Sequence, residues 1–312
     1  MDTVLDRFEP RKVIVFSRDE LKQSEMMADL AQRGESPTRF FIGDVRDVDR
    51  LELAMRDVDY VVHAAALKQV PAAEYNPFEC VKTNIHGAEN VVTAALRTGV
   101  RRIIALSTDK AASPINLYGA SKLAADKILV AANNLTGGQD TRFAVVRYGN
   151  VMGSRGSVIP YFRRLIREGA KALPVTDPQM TRFWITLQQG VNFVLSSLAL
   201  MSGGEIFVPK IPSMKIVDMA KALAPDLPQT VIGIRPGEKL HELMITTDDA
   251  RSTLELEDRY IIEPTLTFWS NTHLTGNGAA LVADGFEYAS NINTEWLDGE
   301  ALLALIEQSG IG

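Results

Sequence analysis

The sequence predicts a doubly wound α/β fold. Short, continuous apolar runs alternate with longer helical patterns through the first half, and the runs are rich in β-branched residues. A strand that is apolar along its whole length must be covered on both faces, as in a parallel sheet between helices. The runs are Val13-Ile14-Val15-Phe16, Phe40-Phe41-Ile42, Tyr60-Val61-Val62, Ile103-Ile104-Ala105-Leu106 and Phe143-Ala144-Val145-Val146. Between them helices are expected at Glu20 to Gln32, Asp49 to Met55, Pro77 to Thr98 and Ser121 to Asn133, with another at Tyr161 to Arg167.

The second half reads as a smaller α+β part. Helices are expected at Leu187 to Met201 and Ser213 to Leu223, strands at Ile206 to Val208 and Val231 to Ile234, and a loop-rich end from Pro264. The division is placed near Asn150: residues 1–150 as the nucleotide-binding domain, residues 151–312 as mainly the substrate-binding part, with some segments returning to the first domain.

Composition narrows the function classes. With 312 residues, 46% hydrophobic and 23% charged, the chain is of ordinary globular type and long enough for one large core or two unequal ones. A net charge of −6 gives no basic field for a phosphate backbone, so nucleic acid is not the expected partner. One cysteine, Cys80, permits no internal disulfide, and the four histidines show no ligand spacing with it, so no metal is expected. The most apolar stretch, Gly190 to Met201, is interrupted by Asn192, Ser196 and Ser197, and Met1 to Lys12 has no signal-peptide core. A cytoplasmic protein without a membrane partner is expected.

A nucleotide-binding domain of this kind opens with a strand, a G-x-G-x-x-G turn and a helix, whose bare amides approach a pyrophosphate. Nothing of that kind precedes Val13. Thr3 to Phe8 reads as the last turns of a first helix, stopped by Pro10. Gly276 and Gly278, like Gly137-Gly138, follow no parallel strand and read as turns. The expectation is therefore a Rossmann-like sheet whose central first strand is absent. A shortened chain, a misassigned start and a remnant are the three readings.

Five segments carry candidate chemistry. Ser17, Arg18 and Lys22 follow the first run, where an adenosine ribose would lie; their donors and positive charge favour a 2′-phosphate, hence NADP over NAD, though the same residues also read as a charged helix start. Asp44-Val45 follows the run at Phe40, where a carboxylate can accept from an adenine amino group. Ser107-Thr108-Asp109-Lys110 ends the fourth run, and Tyr118 and Lys122 follow as Tyr-x-x-x-Lys. That spacing puts an ammonium one helical turn from a phenol, where it and an oxidised nicotinamide would lower the phenol pKa and let Tyr118 act as base toward a sugar hydroxyl. Asp109 and Lys110 supply an adjacent acid and base, as removal of a C5 proton and loss of a C6 hydroxyl would require. Gly149, Gly153, Arg155 and Gly156 lie in a polar stretch suited to a diphosphate, and Arg235-Pro236-Gly237 is a second basic turn; each also reads as a plain structural turn. His63 reads as a packed residue.

These pieces, in this order, resemble the inverting UDP-N-acetylglucosamine 4,6-dehydratases of the extended short-chain dehydrogenase/reductase family. The likeness runs from about Val4 to the C-terminus, through Met180-Thr181-Arg182-Phe183-Trp184 and Ile206 to Lys210. Retaining relatives typically carry Asp-Glu where this chain has Asp109-Lys110, so the lysine is the more specific marker. The resemblance implies Tyr118 and Lys122 as the dehydrogenase pair, Asp109 and Lys110 as the dehydration pair, and Thr108 as a contact of the sugar. It implies cofactor positions at Ser17, Arg18, Lys22, Asp44, Val45, Ala64, Thr83, Asn84, Tyr118, Lys122 and Val151. Substrate positions are implied at Lys68, Asn150, Arg155, Gly156, Ser157, Val158, Ile159 and Arg235. It also implies NADP as cofactor, a UDP-sugar substrate, and a place in pseudaminic acid or surface glycan biosynthesis, including flagellin glycosylation. A homo-oligomer is implied, formed through the helices beginning near Pro77 and after Tyr118. A 4-epimerase or reductase would need Tyr118 and Lys122 alone, and a partner-binding remnant would need neither.

Overall fold

The computed structural model describes residues 1–32, 34, 37–265 and 278–310. Helix α1 (Asp2–Arg7) leads into strand β1 (Val13–Ser17), helix α2 (Glu20–Ala31) and strand β2 (Thr38–Ile42). The Asp19 side chain accepts from the Lys22 amide at 3.0 Å, satisfying one of the free amides that open α2. β1 and β2 pair in parallel, Val13 with Thr38 through Ser17 with Ile42, and form a sheet of their own.

Helix α3 (Val48–Met55) and strand β3 (Tyr60–His63) follow, then α4 (Val70–Tyr75), α5 (Pro77–Val81), a π-helical turn at Lys82–His86 and α6 (Gly87–Thr98). The helix expected from Pro77 to Thr98 is continuous, but it widens by the π turn where Thr83 and Asn84 sit. Gly99, with φ 72°, closes α6 in the left-handed region that costs a glycine nothing.

Strand β4 (Arg102–Thr108), helix α7 (Leu117–Ala132) and strand β5 (Arg142–Tyr148) complete the parallel array with β3. Ile103, Ile104, Phe143 and Val145 are fully buried. Covering each such side chain is worth about 1.5–3 kcal/mol relative to leaving it in water, which is why these two runs take interior positions of the sheet.

The second half runs through β6 (Asn150–Val151), α8 (Val158–Arg167), β7 (Leu173–Val175), β8 (Thr181–Ile185), α9 (Leu187–Leu200) and β9 (Ile206–Pro209). It continues with β10 (Ser213–Lys215), α10 (Ile216–Leu223), β11 (Gln229–Val231), β12 (Leu243–Ile245), β13 (Thr253–Glu255) and β14 (Arg259–Ile262). It ends with β15 (Ala280–Leu281), β16 (Tyr288–Ala289) and α11 (Gly299–Gln308). β9 lies parallel to β5, and β14, β13 and β15 extend the sheet antiparallel, giving the order β15-β13-β14-β9-β5-β4-β3. The architecture is Rossmann-like, with a smaller α+β part around a second core of Phe162, Trp184, Met214 and Leu302.

Among the described residues no strand pairs with the outer side of β3 or with the second side of β1. Tyr60 and Val62 on β3 stay 52% and 47% exposed. Among the described residues no helix is long and apolar enough to cross a membrane, and no cluster of ligating side chains could hold a metal ion.

Four expectations need correction. The helix expected from Ser121 begins at Leu117, because Asn116 caps it by accepting from the Gly119 amide at 2.7 Å. The helix expected from Ser213 starts at Ile216, its first residues being spent on β10 against β8. The strand expected at Val231 to Ile234 ends at Val231, where pairing with β7 stops and Gly233 turns with φ 85°. The loop-rich end from Pro264 carries α11, whose Leu302 and Ile306 fill the second core. Gly137-Gly138 is a turn; Gly276 lies outside the described residues.

Candidate active site

The carboxyl end of β4 and the first turn of α7 make one site, and a glycine lets them meet. A Cβ on Gly119 would stand 2.2 Å from the Lys110 carbonyl oxygen, so only a bare α-carbon permits the Asp109–Ala111 turn to rest on α7. Asn116 also donates to the Gly237 carbonyl at 2.7 Å, tying the start of α7 to the Arg235–Lys239 turn.

Asp109 is fully buried. Its Oδ1 accepts from Thr108 Oγ1 at 2.9 Å and from Lys110 Nζ at 3.0 Å, and its Oδ2 has no partner. Burial pushes the Asp109 carboxyl above its ordinary value, and the nearby Glu242 charge pushes the same way against Lys110 and Thr108. Burial would lower the Lys110 pKa, but the Asp109 and Glu242 carboxylates outweigh it and hold the ammonium charged. Tyr118 is 9% exposed. Burial pushes its phenol up to about 12, opposed by Lys110 and by a hydrogen bond with Thr108. Among the chain's own groups desolvation dominates at Tyr118, and the cation that opposes it is Lys110. Lys122 is itself buried and lowered by desolvation, and its Nζ donates to the Leu106 carbonyl at 2.7 Å.

Glu242 and Arg182 are the residues that sequence reasoning missed. Glu242 Oε1 lies 3.1 Å from Lys110 Nζ and 3.5 Å from Arg182 Nε. Arg182 also donates to the Thr181, Leu240 and Lys239 carbonyls at 2.7, 3.1 and 2.9 Å, pinning the segment that carries Glu242. Burial would raise the Glu242 carboxyl, yet Lys110, Arg182 and Lys239 keep it below the usual range. No local motif marks Glu242; the Arg182 segment stood out only as part of the resemblance.

The remaining candidates fall into two groups. Lys68 Nζ donates to the Arg155 carbonyl at 3.2 Å, bringing the loop after β3 to the polar turn before α8. Ser157 is the N-cap residue of α8, but it makes no cap bond and its Oγ is buried without a partner. Gly156 takes φ 77°, Val158 is half-buried, and Ile159 is fully buried in the second core, so only its backbone is free to face a ligand. Asn150 and Val151 pair with Trp184 and Ile185, and a Cβ on the adjacent Gly149 would meet Phe183 at 2.5 Å. Arg235 forms an exposed ion pair with Glu238.

The second group lies on the β1–β2 sheet and beside it. Ser17 Oγ accepts from the buried Gln23 at 3.0 Å, Lys22 is exposed, and Arg18 stands 3.6 Å from Asp44. Asp44 is bound at 2.6 Å by Arg46, which holds its carboxyl below the ordinary value. Val45 is buried against Gly87, Ala64 is exposed just after β3, and Thr83 is buried. Asn84 spends its side chain on the Leu67 amide and carbonyl and on Ser121 Oγ, at 2.8, 3.0 and 2.9 Å. His63 is packed as expected, with burial and then Lys122 lowering its pKa to about 3.

A parallel sheet that buries a Tyr118–Lys122 helix start beside an acid and a lysine, at the carboxyl end of β4, defines a Rossmann-type enzyme of the short-chain dehydrogenase/reductase kind. Residues 1–264 match the polysaccharide biosynthesis protein family, and the chain belongs to it. It is 57% identical over 312 residues to the UDP-N-acetylglucosamine 4,6-dehydratase (inverting) of Campylobacter jejuni, covering 98% of this chain and 92% of that protein. A UDP-glucose 4-epimerase of Rickettsia conorii is 43% identical over 256 residues, 81% of this chain and 74% of that one. The solved structure of Pen from Bacillus thuringiensis superposes with a TM-score of 0.89 at 36% identity, covering 100% of this chain and 93% of that one.

Proposed function

We propose that the chain is an inverting dehydratase of UDP-N-acetylglucosamine that uses NADP, acting in the cytoplasm as a homo-oligomer in pseudaminic acid or other surface glycan biosynthesis. The observation that carries this reading is Asp109 and Lys110 held in contact beside Tyr118, in a chain 57% identical to an enzyme of that name. Tyr118 and Lys122 fit the nicotinamide end of the cofactor, and Ser17, Arg18, Lys22 and Asp44 fit its adenosine end. Val45, Ala64, Thr83, Asn84 and Val151 line the path between. Lys68, Asn150, the 155–159 turn and Arg235 are the substrate positions.

Bound NADP⁺ would supply the acceptor for hydride from C4 of the sugar and the donor of hydride to C6, with Tyr118 and Lys122 at its nicotinamide end. Tyr118 takes the proton of the C4 hydroxyl, and Thr108 orients that hydroxyl. Lys110 in its amine form removes the C5 proton, which the C4 ketone makes acidic. Asp109 in its acid form gives its proton to the C6 oxygen, which leaves as water. Reprotonation of C5 from the other face inverts that carbon.

The epimerase relatives support a second reading, in which Tyr118 and Lys122 act alone and C6 keeps its oxygen. NMR of UDP-N-acetylglucosamine incubated with the chain and NADP⁺ separates the two. A C6 methyl with a C4 ketone or its hydrate and inverted C5 is expected; a C4 epimer with C6 intact would make the epimerase the reading to keep.

A further inference from the structure

Glu242 is 1% exposed, has a buried Oε2 without a partner, and shares the Lys110 ammonium with Asp109, at 3.1 and 3.0 Å. Its backbone is fixed: the amide donates to Ser290 Oγ at 2.9 Å and the carbonyl accepts from the Ser290 amide at 2.8 Å, while Ser290 Oγ meets Thr181 Oγ1 at 2.6 Å. A buried carboxylate is costly to hold unless its charge is used, and Lys110, Arg182 and Lys239 are the cations placed to hold it.

Proton accounting shows what that charge is used for. The Lys110 ammonium can pass a proton to Asp109 along their 3.0 Å contact, leaving an amine and a carboxylic acid. Elimination then breaks the C5–H bond in favour of an N–H bond on Lys110. The C5–H electron pair forms the C5–C6 double bond, the C6–O bond breaks, and the Asp109 proton joins the departing oxygen as water. The step therefore ends with an ammonium on Lys110 and a carboxylate on Asp109, and no external acid, base or oxidant is consumed. A fixed negative charge 3.1 Å from the nitrogen favours the ammonium at rest and as it reforms, so Glu242 sets how readily Lys110 gives its proton to Asp109.

We propose that Glu242 is a positioning residue for Lys110: its Oε1 fixes the side-chain nitrogen beside Asp109 and holds it as the ammonium until its proton passes to Asp109. The inference rests on the reading of Asp109 and Lys110 as the dehydration pair. The part of Asp109 stays that of the acid.

The test uses the full chain and Glu242→Gln, which keeps an acceptor at the same place and removes the charge. Reductive methylation by trace formaldehyde and borohydride, read by mass spectrometry near pH 8.5 with Lys12 as internal standard, reports the amine fraction of Lys110. About a tenfold faster methylation of Lys110 is expected in the variant, as loss of a neighbouring opposite charge shifts a pKa by about one or more. The same variant is expected to shift the acid limb of the kcat–pH profile to lower pH by about one unit, because Lys110 then yields its proton more readily, with the KM for UDP-N-acetylglucosamine unchanged within about twofold. Unchanged methylation of Lys110, or an unchanged kcat–pH profile, overturns the proposal. If Gln leaves the chain unfolded by circular dichroism, Glu242→Asp replaces it: a carboxylate too short to reach Nζ is expected to give the same faster methylation and the same shift of the kcat–pH profile. A wild type that never removes the C6 oxygen sinks the dehydratase reading instead, and the methylation comparison, which needs no substrate, tells the two failures apart.

Discussion

The Lys110 carbonyl oxygen occupies the place where a side chain on Gly119 would begin, 2.2 Å from its ideal Cβ position. One turn of helix and one strand end are thereby pressed together, and the acid, the lysine and the phenol of the site lie on the two sides of that contact. A methyl group there must push backbone against backbone, because neither partner is the free end of a flexible side chain.

Gly119→Ala is therefore expected to move Asp109 and Lys110 away from Tyr118. A displacement on the order of 1 Å costs about 100-fold in rate when groups must act together on one substrate. The measurement is kcat alongside far-ultraviolet circular dichroism. A variant with normal kcat would show that the turn relaxes without disturbing the site.

Arg18 tests the choice of cofactor. It is 55% exposed at its side chain, lies at the end of β1 next to Ser17, and is only partly engaged by Asp44 at 3.6 Å. A charge-assisted bond to a 2′-phosphate is worth about 1.5–3 kcal/mol, so Arg18→Ala is expected to raise the KM for NADP⁺ roughly tenfold or more while leaving that for NAD⁺ unchanged. Equal effects on both cofactors would move the 2′-phosphate contact away from Arg18.

The centre of the fold and the local half of the site could be read from the chain because their determinants are contiguous. Uninterrupted apolar runs announce β4 and β5, and Thr108, Asp109, Lys110, Tyr118 and Lys122 fall within one strand end and one helix start. What escaped depends on contacts between distant segments. Glu242 has meaning only once β12 is laid beside the Asp109 turn, and Arg182 only once β8 clamps the carbonyls before it. Asn84 shows the converse: it stands at a position the resemblance gives to the cofactor, and its side chain is already committed to Leu67 and Ser121. The C-terminal helix α11 was hidden because its apolar Leu302 and Ile306 follow a stretch rich in turn residues.

A second buried pair lies under the site. Asp126 and Arg147 are 1% and 3% exposed at their side chains and stand 3.4 Å apart, with Ser107 Oγ donating to Asp126 Oδ2 at 2.8 Å and Arg147 donating to the Met244 carbonyl at 2.9 Å. Removing one partner leaves a buried charge alone. Asp126→Leu is expected to cost about 3–5 kcal/mol in urea unfolding, and adding Arg147→Met to recover part of it. A double variant no more stable than the single one would show that Arg147 is held by Met244 and Asp249 without its carboxylate.

His63 gives the pH dependence its sign. Burial, then the charge of Lys122, lowers its folded pKa to about 3, whereas an unfolded histidine titrates near 6.5. A depressed histidine favours the folded state in full above the unfolded value, and that contribution fades as pH falls from about 6.5 toward about 3, because only the unfolded chain gains the proton. Between about pH 7 and about pH 5 the loss from this residue alone is on the order of 2 kcal/mol. His63→Phe keeps an aromatic ring in the same packed position and cannot titrate, so its unfolding free energy is expected to change less over that interval than that of the wild type. Urea unfolding of both proteins at the two pH values measures the difference, and parallel pH dependences would mean that His63 is protonated in the folded protein and that its burial beside Lys122 is relieved in solution.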